Sequence, residues 1–370
     1  MNEYIEEKTT NLALILFSIF LWIVGLSYGS GIGMAYNIYG KTEIVVVGVS
    51  IIVFLKRKSL YLSKGSVIAL WGLLVCNIVA YMKNNQTYCS YLWLFLIVYI
   101  YSTNKVSKKD LKLIGTIYGV LGVGILMVAN YTGILSGWDG NSISMIGFFS
   151  YTVFCAGVLD EYRIIRKLLF LAYSFYYFYL LSVLDSRSSI LFSIILVLSI
   201  SGIVPLKKAL EKKNIVILLI LPLLIALLVV AIKDKAFIEQ LNIWSYKTFQ
   251  KPIFNGRDTI WYNACINFLK NPIFGTGTLA GNWHNSAMTA LSGAGIMGYS
   301  IFLTFIKKCW ICGCEFINDY RVFTILVAFV VVWLQQSVEL GIIQPQANPI
   351  LFVIMGLLLA RVNTVVVLNG

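Results

Sequence analysis

Charge is what this sequence has least of. Only 12% of its 370 residues are Asp, Glu, Lys or Arg, while 59% are hydrophobic; soluble domains carry about 25% charged residues. That balance excludes an ordinary soluble globule and a disordered tail. Histidine occurs once, as His284, and the seven cysteines (Cys76, Cys89, Cys155, Cys265, Cys309, Cys312, Cys314) show no disulfide-framework spacing. Cys309 and Cys312 have the spacing of half a zinc ribbon, but a closed site needs four ligands and His284 lies elsewhere. No metal site is expected. Asp-x-Asp, GxxxxGK[ST], HExxH, GxSxG and dinucleotide fingerprints are all missing, which disfavours nucleotide-sugar, ATP and zinc-hydrolase chemistry. No internal repeat argues for inverted-repeat transporter symmetry.

What is abundant is apolar length. Runs near the 17 to 20 residues needed to cross about 30 Å of hydrocarbon recur throughout. They predict an all-α integral membrane protein with about twelve spans, forming one polytopic domain over 1–370: 11–26, 42–55, 66–82, 88–102, 111–129, 142–159, 168–184, 188–204, 214–232, 285–306, 322–338 and 348–363. Gly115 and Gly119, followed by Gly122 and Gly124, read as a small-residue packing face. The N-terminus carries Glu3, Glu6 and Glu7, the wrong sign for a signal peptide, so the first span is expected to be retained.

The net charge of +13 would suggest nucleic acid in a soluble protein. Here, of the 29 Lys and Arg, 20 fall on one side of the twelve spans, three in the short connections of the other side and six in a single long connection, 233–284. Short basic loops stay cytoplasmic. Both termini are therefore expected in the cytoplasm, the long loop outside, and no nucleic-acid partner.

Within that loop, Asp258 to Lys270 places Ile260, Trp261, Ala264, Cys265, Phe268 and Leu269 on one helical face. Asp258 is the expected N-cap, Asn271-Pro272 the stop, and the bilayer surface the expected resting place. A second short helix is expected over 236–249. Outer ionisable groups are few, and charge held near membrane depth is costly and usually functional. Arg187 breaks a 37-residue apolar stretch together with Asp185 and serines; at the outer interface it reads as a substrate-binding cation or as a turn residue paired with Asp185, two roles that do not exclude each other. Arg257 reads as a cavity-facing cation or a solvated loop residue, and His284, at the mouth of a span, as a base or an interfacial residue.

Taken in order, Ser186-Arg187-Ser188, Asn255-Gly256-Arg257, Trp261, the stretch Asn271-Pro272-Ile273-Phe274-Gly275-Thr276-Gly277, His284-Asn285 and Gly293-x-Gly295-Ile296-x-Gly298 resemble the signature of the bacterial O-antigen ligase and polysaccharide polymerase (Wzy-type) superfamily. The motifs cover roughly 180 to 300. The resemblance implies a membrane glycosyltransferase of GT-C type that uses undecaprenyl-pyrophosphate-linked oligosaccharide as donor and acceptor, with no metal or other cofactor. It implies Arg187 and Arg257 as ligands of the lipid pyrophosphate and His284 as the residue that assists the acceptor. Asn285, Trp261, Lys247, Lys251, Asp185 and Glu339 are the expected substrate-binding residues.

The expected function is a capsule or O-antigen repeat-unit polymerase on the outer face of the bacterial cytoplasmic membrane, working among membrane lipid with a chain-length regulator and a flippase as possible partners. The alternatives are a ligase of the same superfamily, or a lipid-glycan flippase or transporter. A major-facilitator protein would carry a Gly/Asp/Arg signature where this chain reads Lys56 to Lys64 without one, and a flippase would lack the long outer loop.

Overall fold

The computed structural model describes residues 11–27, 38–56, 75, 82, 90–132, 135, 140–158, 164–184, 186–203, 206–276, 283–339 and 349–369. Among these, the regular structure is helical: α1 (Leu12–Ser27), α2 (Ile38–Lys56), α3 (Ser90–Ser102), α4 (Lys108–Tyr131), α5 (Gly140–Val158), α6 (Ile164–Val183), α7 (Arg187–Ile200), α8 (Ile215–Ile232), α9 (Ala236–Phe249), α10 (Arg257–Lys270), α11 (Ser286–Glu315), α12 (Tyr320–Gln335) and α13 (Ile350–Asn369). A single helical turn at Leu206–Ala209 and a 3₁₀ turn at Lys212–Asn214 lead into α8. The span expected over 66–82 lies almost wholly outside the described residues.

Among the described residues, four helical segments are long and apolar enough to cross a membrane: α4, α5, α8 with its 3₁₀ turn, and α11. Shorter apolar helices accompany them at Leu12–Leu26, Ile44–Val53, Leu168–Val183, Arg187–Ile200, Tyr320–Gln335 and Ile350–Val366. Helices apolar all round either lie in the core or face lipid. α5 and α12 take the first course, with nearly every residue buried, whereas α8 leaves Val216, Ile217, Leu224, Leu227 and Leu228 exposed.

α4 starts where its sequence allows a capping box: Ser107 accepts from the Asp110 amide, and Asp110 accepts from the Ser107 amide and hydroxyl. The second oxygen of this buried carboxylate accepts from the Asn11 amide at 3.0 Å, tying the start of α1 to that of α4. α4 and α5 form the most extensive helix pair. A Cβ on Gly115 would lie 3.0 Å from Gly157 Cα, and one on Gly119 or Gly122 would strike Phe154 or Ser150. The expected small-residue face is thus three glycines long, since Gly124 has nothing within 4 Å.

At the other end of α11, Asp319 caps α12 by accepting from the Arg321 and Val322 amides and pairs with Arg361 of α13 at 3.0 Å. Burial pushes the Asp319 carboxyl up, but the Arg361 hydrogen bond and charge and the two amides outweigh it, holding the group below the usual carboxylate range. Three helices are pinned to one another at this end, which fixes how α11 and α12 run together toward the opposite end.

Candidate active site

α8 contains Pro222, which has no amide hydrogen to give the carbonyl of Leu218. Trp333 of α12 gives its indole N–H to that carbonyl at 3.2 Å. The Pro222 carbonyl accepts the Asn285 side-chain amide at 2.9 Å, and the same amide donates to the Ser337 carbonyl at 2.8 Å. The Asn285 side-chain oxygen meanwhile caps α11 by accepting from the Met288 amide. Ser286 adds two bonds to Gln336, from its amide to the backbone carbonyl and from its hydroxyl to the side chain. The start of α11 is thereby riveted to α8 and to the end of α12, in a region where residues 285–295 are buried without interruption.

The loop after α10 is held differently. Inside α11, Gly295 adopts φ 65°, ψ −172°, a break that frees backbone groups on both sides. Loop residues take them: the Thr276 amide donates to the Ser292 carbonyl, while the Ile296 and Met297 amides donate to the carbonyls of Pro272 and Ile273. A Cβ at Gly275 would sit 2.3 Å from the Gly293 carbonyl oxygen, and one at Gly295 2.3 Å from that of Ile273. The two Gly-rich motifs are therefore halves of one backbone splice. Its chemistry is that of a buried broken helix whose polar groups must be satisfied from outside the helix.

This splice also seats α10. The helix begins beside the start of α11, and the loop that follows it rejoins α11 at the break, so α10 runs along α11. Its apolar face meets protein, with Trp261 and Ala264 buried against Ala226 and Val229 of α8 and Met288 of α11. The Trp261 indole donates to the Trp283 carbonyl at 2.6 Å. Leu269, expected on the same face, is exposed. The N-cap is corrected. Gly256, at φ 79°, precedes the helix and Asp258 stands in its first turn, because the left-handed pair Asn255-Gly256 turns the chain before Asp258 could cap it.

These constraints bring three segments to one carboxylate. Glu339, just beyond α12, accepts on Oε1 from Arg257 Nη2 at 3.0 Å and from Ser188 Oγ at 3.0 Å. Its Oε2 lies 3.8 Å from His284 Nδ1. The Glu339 side chain is 14% exposed, that of Arg257 23% and that of His284 32%, so the cluster is sheltered but open on the His284 side. His284 itself is left-handed, φ 45°, a conformation that costs a non-glycine residue energy and is common at functional sites. Arg257 Nε is buried and, among the described residues, has no hydrogen-bond partner; the same holds for Gln335 Nε2 and Ser337 Oγ in the turn that leads to Glu339. The guanidinium thus keeps donors in reserve for an anion.

Arg187 is the first residue of α7, exposed and adjacent to Ser188, so the Ser186–Ser188 turn delivers it to the edge of the cluster. Asp185 lies outside the described residues. Lys247 is exposed in the last turn of α9, and Lys251 follows the left-handed Gln250, its carbonyl accepting the Ser245 hydroxyl. Asn285 and Trp261 are committed to the internal bonds given above. Ser188 is known from the sequence only as part of the Ser186–Ser188 motif, with no role of its own, and Gln335 and Gln336, which close an apolar run, mark the polar end of α12 beside Glu339. Among the described residues, no three His, Cys, Asp or Glu side chains gather into a metal-binding group.

With this geometry in place, residues 172–303 match the family described as O-antigen ligase, Wzy_C. The matched segment runs from α6 through the break in α11 and contains Arg187, Arg257 and His284, but ends before Glu339. No curated protein and no solved structure matches the chain significantly.

Proposed function

We propose that this chain, whose residues 172–303 match the O-antigen ligase (Wzy_C) family, is a capsule or O-antigen repeat-unit polymerase of the cytoplasmic membrane. The observation that carries this is the convergence of Arg257, His284 and the Ser186–Ser188 turn, from three separate elements, on the Glu339 carboxylate. Arg187 and Arg257 hold the donor's pyrophosphate, always charged and with donors matched to phosphate oxygens. The sugar–oxygen bond to phosphate breaks and its electron pair leaves on the pyrophosphate, where a guanidinium stabilises the developing charge. The acceptor's sugar hydroxyl forms the new glycosidic bond and gives its proton to the imidazole of His284. In this reading the twelve spans place both termini in the cytoplasm and 233–284 outside.

Purified protein supplied with undecaprenyl-pyrophosphate-linked repeat units, and with no nucleotide sugar, is expected to give a ladder of glycan lengths. Transfer only to a foreign acceptor would make it a ligase. Inactivity combined with vesicle translocation would make it a flippase.

Topology has its own test in Cys265 of α10, partly buried, whose thiol burial pushes up. The thiolate is the reacting species, so an impermeant maleimide added outside should label Cys265 slowly at neutral pH and about tenfold faster for each pH unit below the thiol's pKa. Labelling of Cys312 from outside instead of Cys265 would invert the orientation.

A further inference from the structure

We propose that Glu339 occupies Arg257 until the donor arrives, and that the donor's anion hands this carboxylate on to His284. The inference rests on the function proposed above and adds a coupling to it. Glu339 is a positioning residue here, acting through Arg257 in one state and through His284 in the other.

The distances carry the argument. Oε1 is engaged twice, by Arg257 and Ser188 at 3.0 Å each, whereas Oε2 stands 3.8 Å from His284 Nδ1, beyond a hydrogen bond. Among the described residues, the charged groups that meet Glu339 are Arg257 from α10 and His284 from the start of α11, with Arg187 next to Ser188 on α7; α8 and α12 contribute no acidic side chain. A pyrophosphate oxygen carries more charge than Glu339 and can engage several guanidinium donors, including the Nε that has no partner among the described residues. Once Arg257 turns to it, the carboxylate loses its strongest donor, and a sub-ångström to one-ångström movement brings Oε2 within hydrogen-bond reach of Nδ1.

The consequence is chemical. A carboxylate on Nδ1–H holds the imidazole in the tautomer whose Nε2 is bare. Nε2 then accepts the proton of the acceptor hydroxyl, and the imidazolium so formed faces a carboxylate freed from Arg257. The proton leaves afterwards to the departing pyrophosphate or to water. An empty site keeps Glu339 on Arg257, so proton removal is poised only when donor is bound.

Since His284 is the only histidine, ¹⁵N-histidine labelling of the full-length protein in nanodiscs reports this residue alone. Adding inorganic pyrophosphate to the wild type should shift His284 toward the Nδ1–H tautomer. Glu339→Gln should abolish that shift, bind pyrophosphate several-fold more tightly because nothing charged competes for Arg257, and lower kcat by about 10 to 100-fold without raising KM. A tautomer ratio unmoved by bound pyrophosphate in the wild type, or weaker pyrophosphate binding by a folded Glu339→Gln protein, overturns the coupling. The wild-type titration decides even if the variant does not fold. Should the pyrophosphate response appear while the wild type makes no glycan ladder, the coupling stands and the polymerase reading falls. A ladder without the response gives the reverse.

Discussion

Arg257→Ala is expected to lower glycan-ladder formation by about 10² to 10³-fold, the loss of one preorganised donor at a developing negative charge. The residue sits where that effect is largest, three-quarters buried, with one Nη bound to Glu339 and Nε unpartnered among the described residues. Arg257→Lys should recover only a small part, because an ammonium is a point charge and lacks the guanidinium's fork. Removing Arg257 also strands the sheltered Glu339 carboxylate, which costs about 1–3 kcal/mol. The two consequences separate in the double variant Arg257→Ala with Glu339→Gln: thermal stability in detergent should return toward wild type while activity stays low. Activity returning together with stability would mean that Arg257 serves the fold and not the chemistry.

How much of this was legible in the sequence varies with the kind of interaction. Apolar length is additive and local, so the described helices fall close to the expected spans, as α4 over Lys108–Tyr131 does for 111–129. Its start moved because Ser107 and Asp110 form a capping box, a signal present but passed over. α10 starts at Arg257, one residue before the expected Asp258, and ends at Lys270 as expected. Its amphipathic stripe states that an apolar partner exists and does not name α8 and α11 as that partner.

The site divides in the same way. Arg257 and His284 were legible as scarce charges at span mouths. Asn285 was expected among the substrate-binding residues; its side chain bonds to the Pro222 and Ser337 carbonyls and the Met288 amide, backbone atoms that leave no mark in the sequence of the residues bonded. Glu339 was named, but its role as the shared acceptor was not, since its partners lie 82 and 151 positions away. The splice between 272–276 and 292–297 was invisible for a stronger reason. It is made almost wholly of main-chain hydrogen bonds, and glycine inside an apolar helix usually signals close packing rather than a break.

That splice gives the largest expected effect on the fold. Gly295→Ala should destabilise the protein by more than about 4 kcal/mol, in the range reserved for strain at special backbone positions. At φ 65° and ψ −172° the backbone lies in a region that is essentially glycine-only. The added Cβ would also meet the Ile273 carbonyl oxygen at 2.3 Å and the Gly275 amide nitrogen at 2.5 Å, both main-chain atoms with no rotamer to escape into. If the chain yields by opening the splice, the Ile296 and Met297 amides and the Ser292 carbonyl lose their partners, and the end of α10 comes away from α11. Arg257 and His284 then depend on Glu339, the Trp261–Trp283 bond and the packing of Trp261 and Ala264 on Met288 to stay together. Misplacement of about 1 Å at reacting groups can cost 10²-fold, so any Gly295→Ala protein that survives purification should melt early and transfer glycan poorly. Gly275→Ala, whose Cβ would strike the Gly293 carbonyl from the opposite side, should do the same. Gly124→Ala in α4 is the control, because nothing lies within 4 Å of its Cβ position and alanine favours a helix by up to about 1 kcal/mol. It should melt at or slightly above the wild-type temperature with full activity. A Gly295→Ala protein that matched this control would show that the break in α11 is not what holds the loop after α10 over the site.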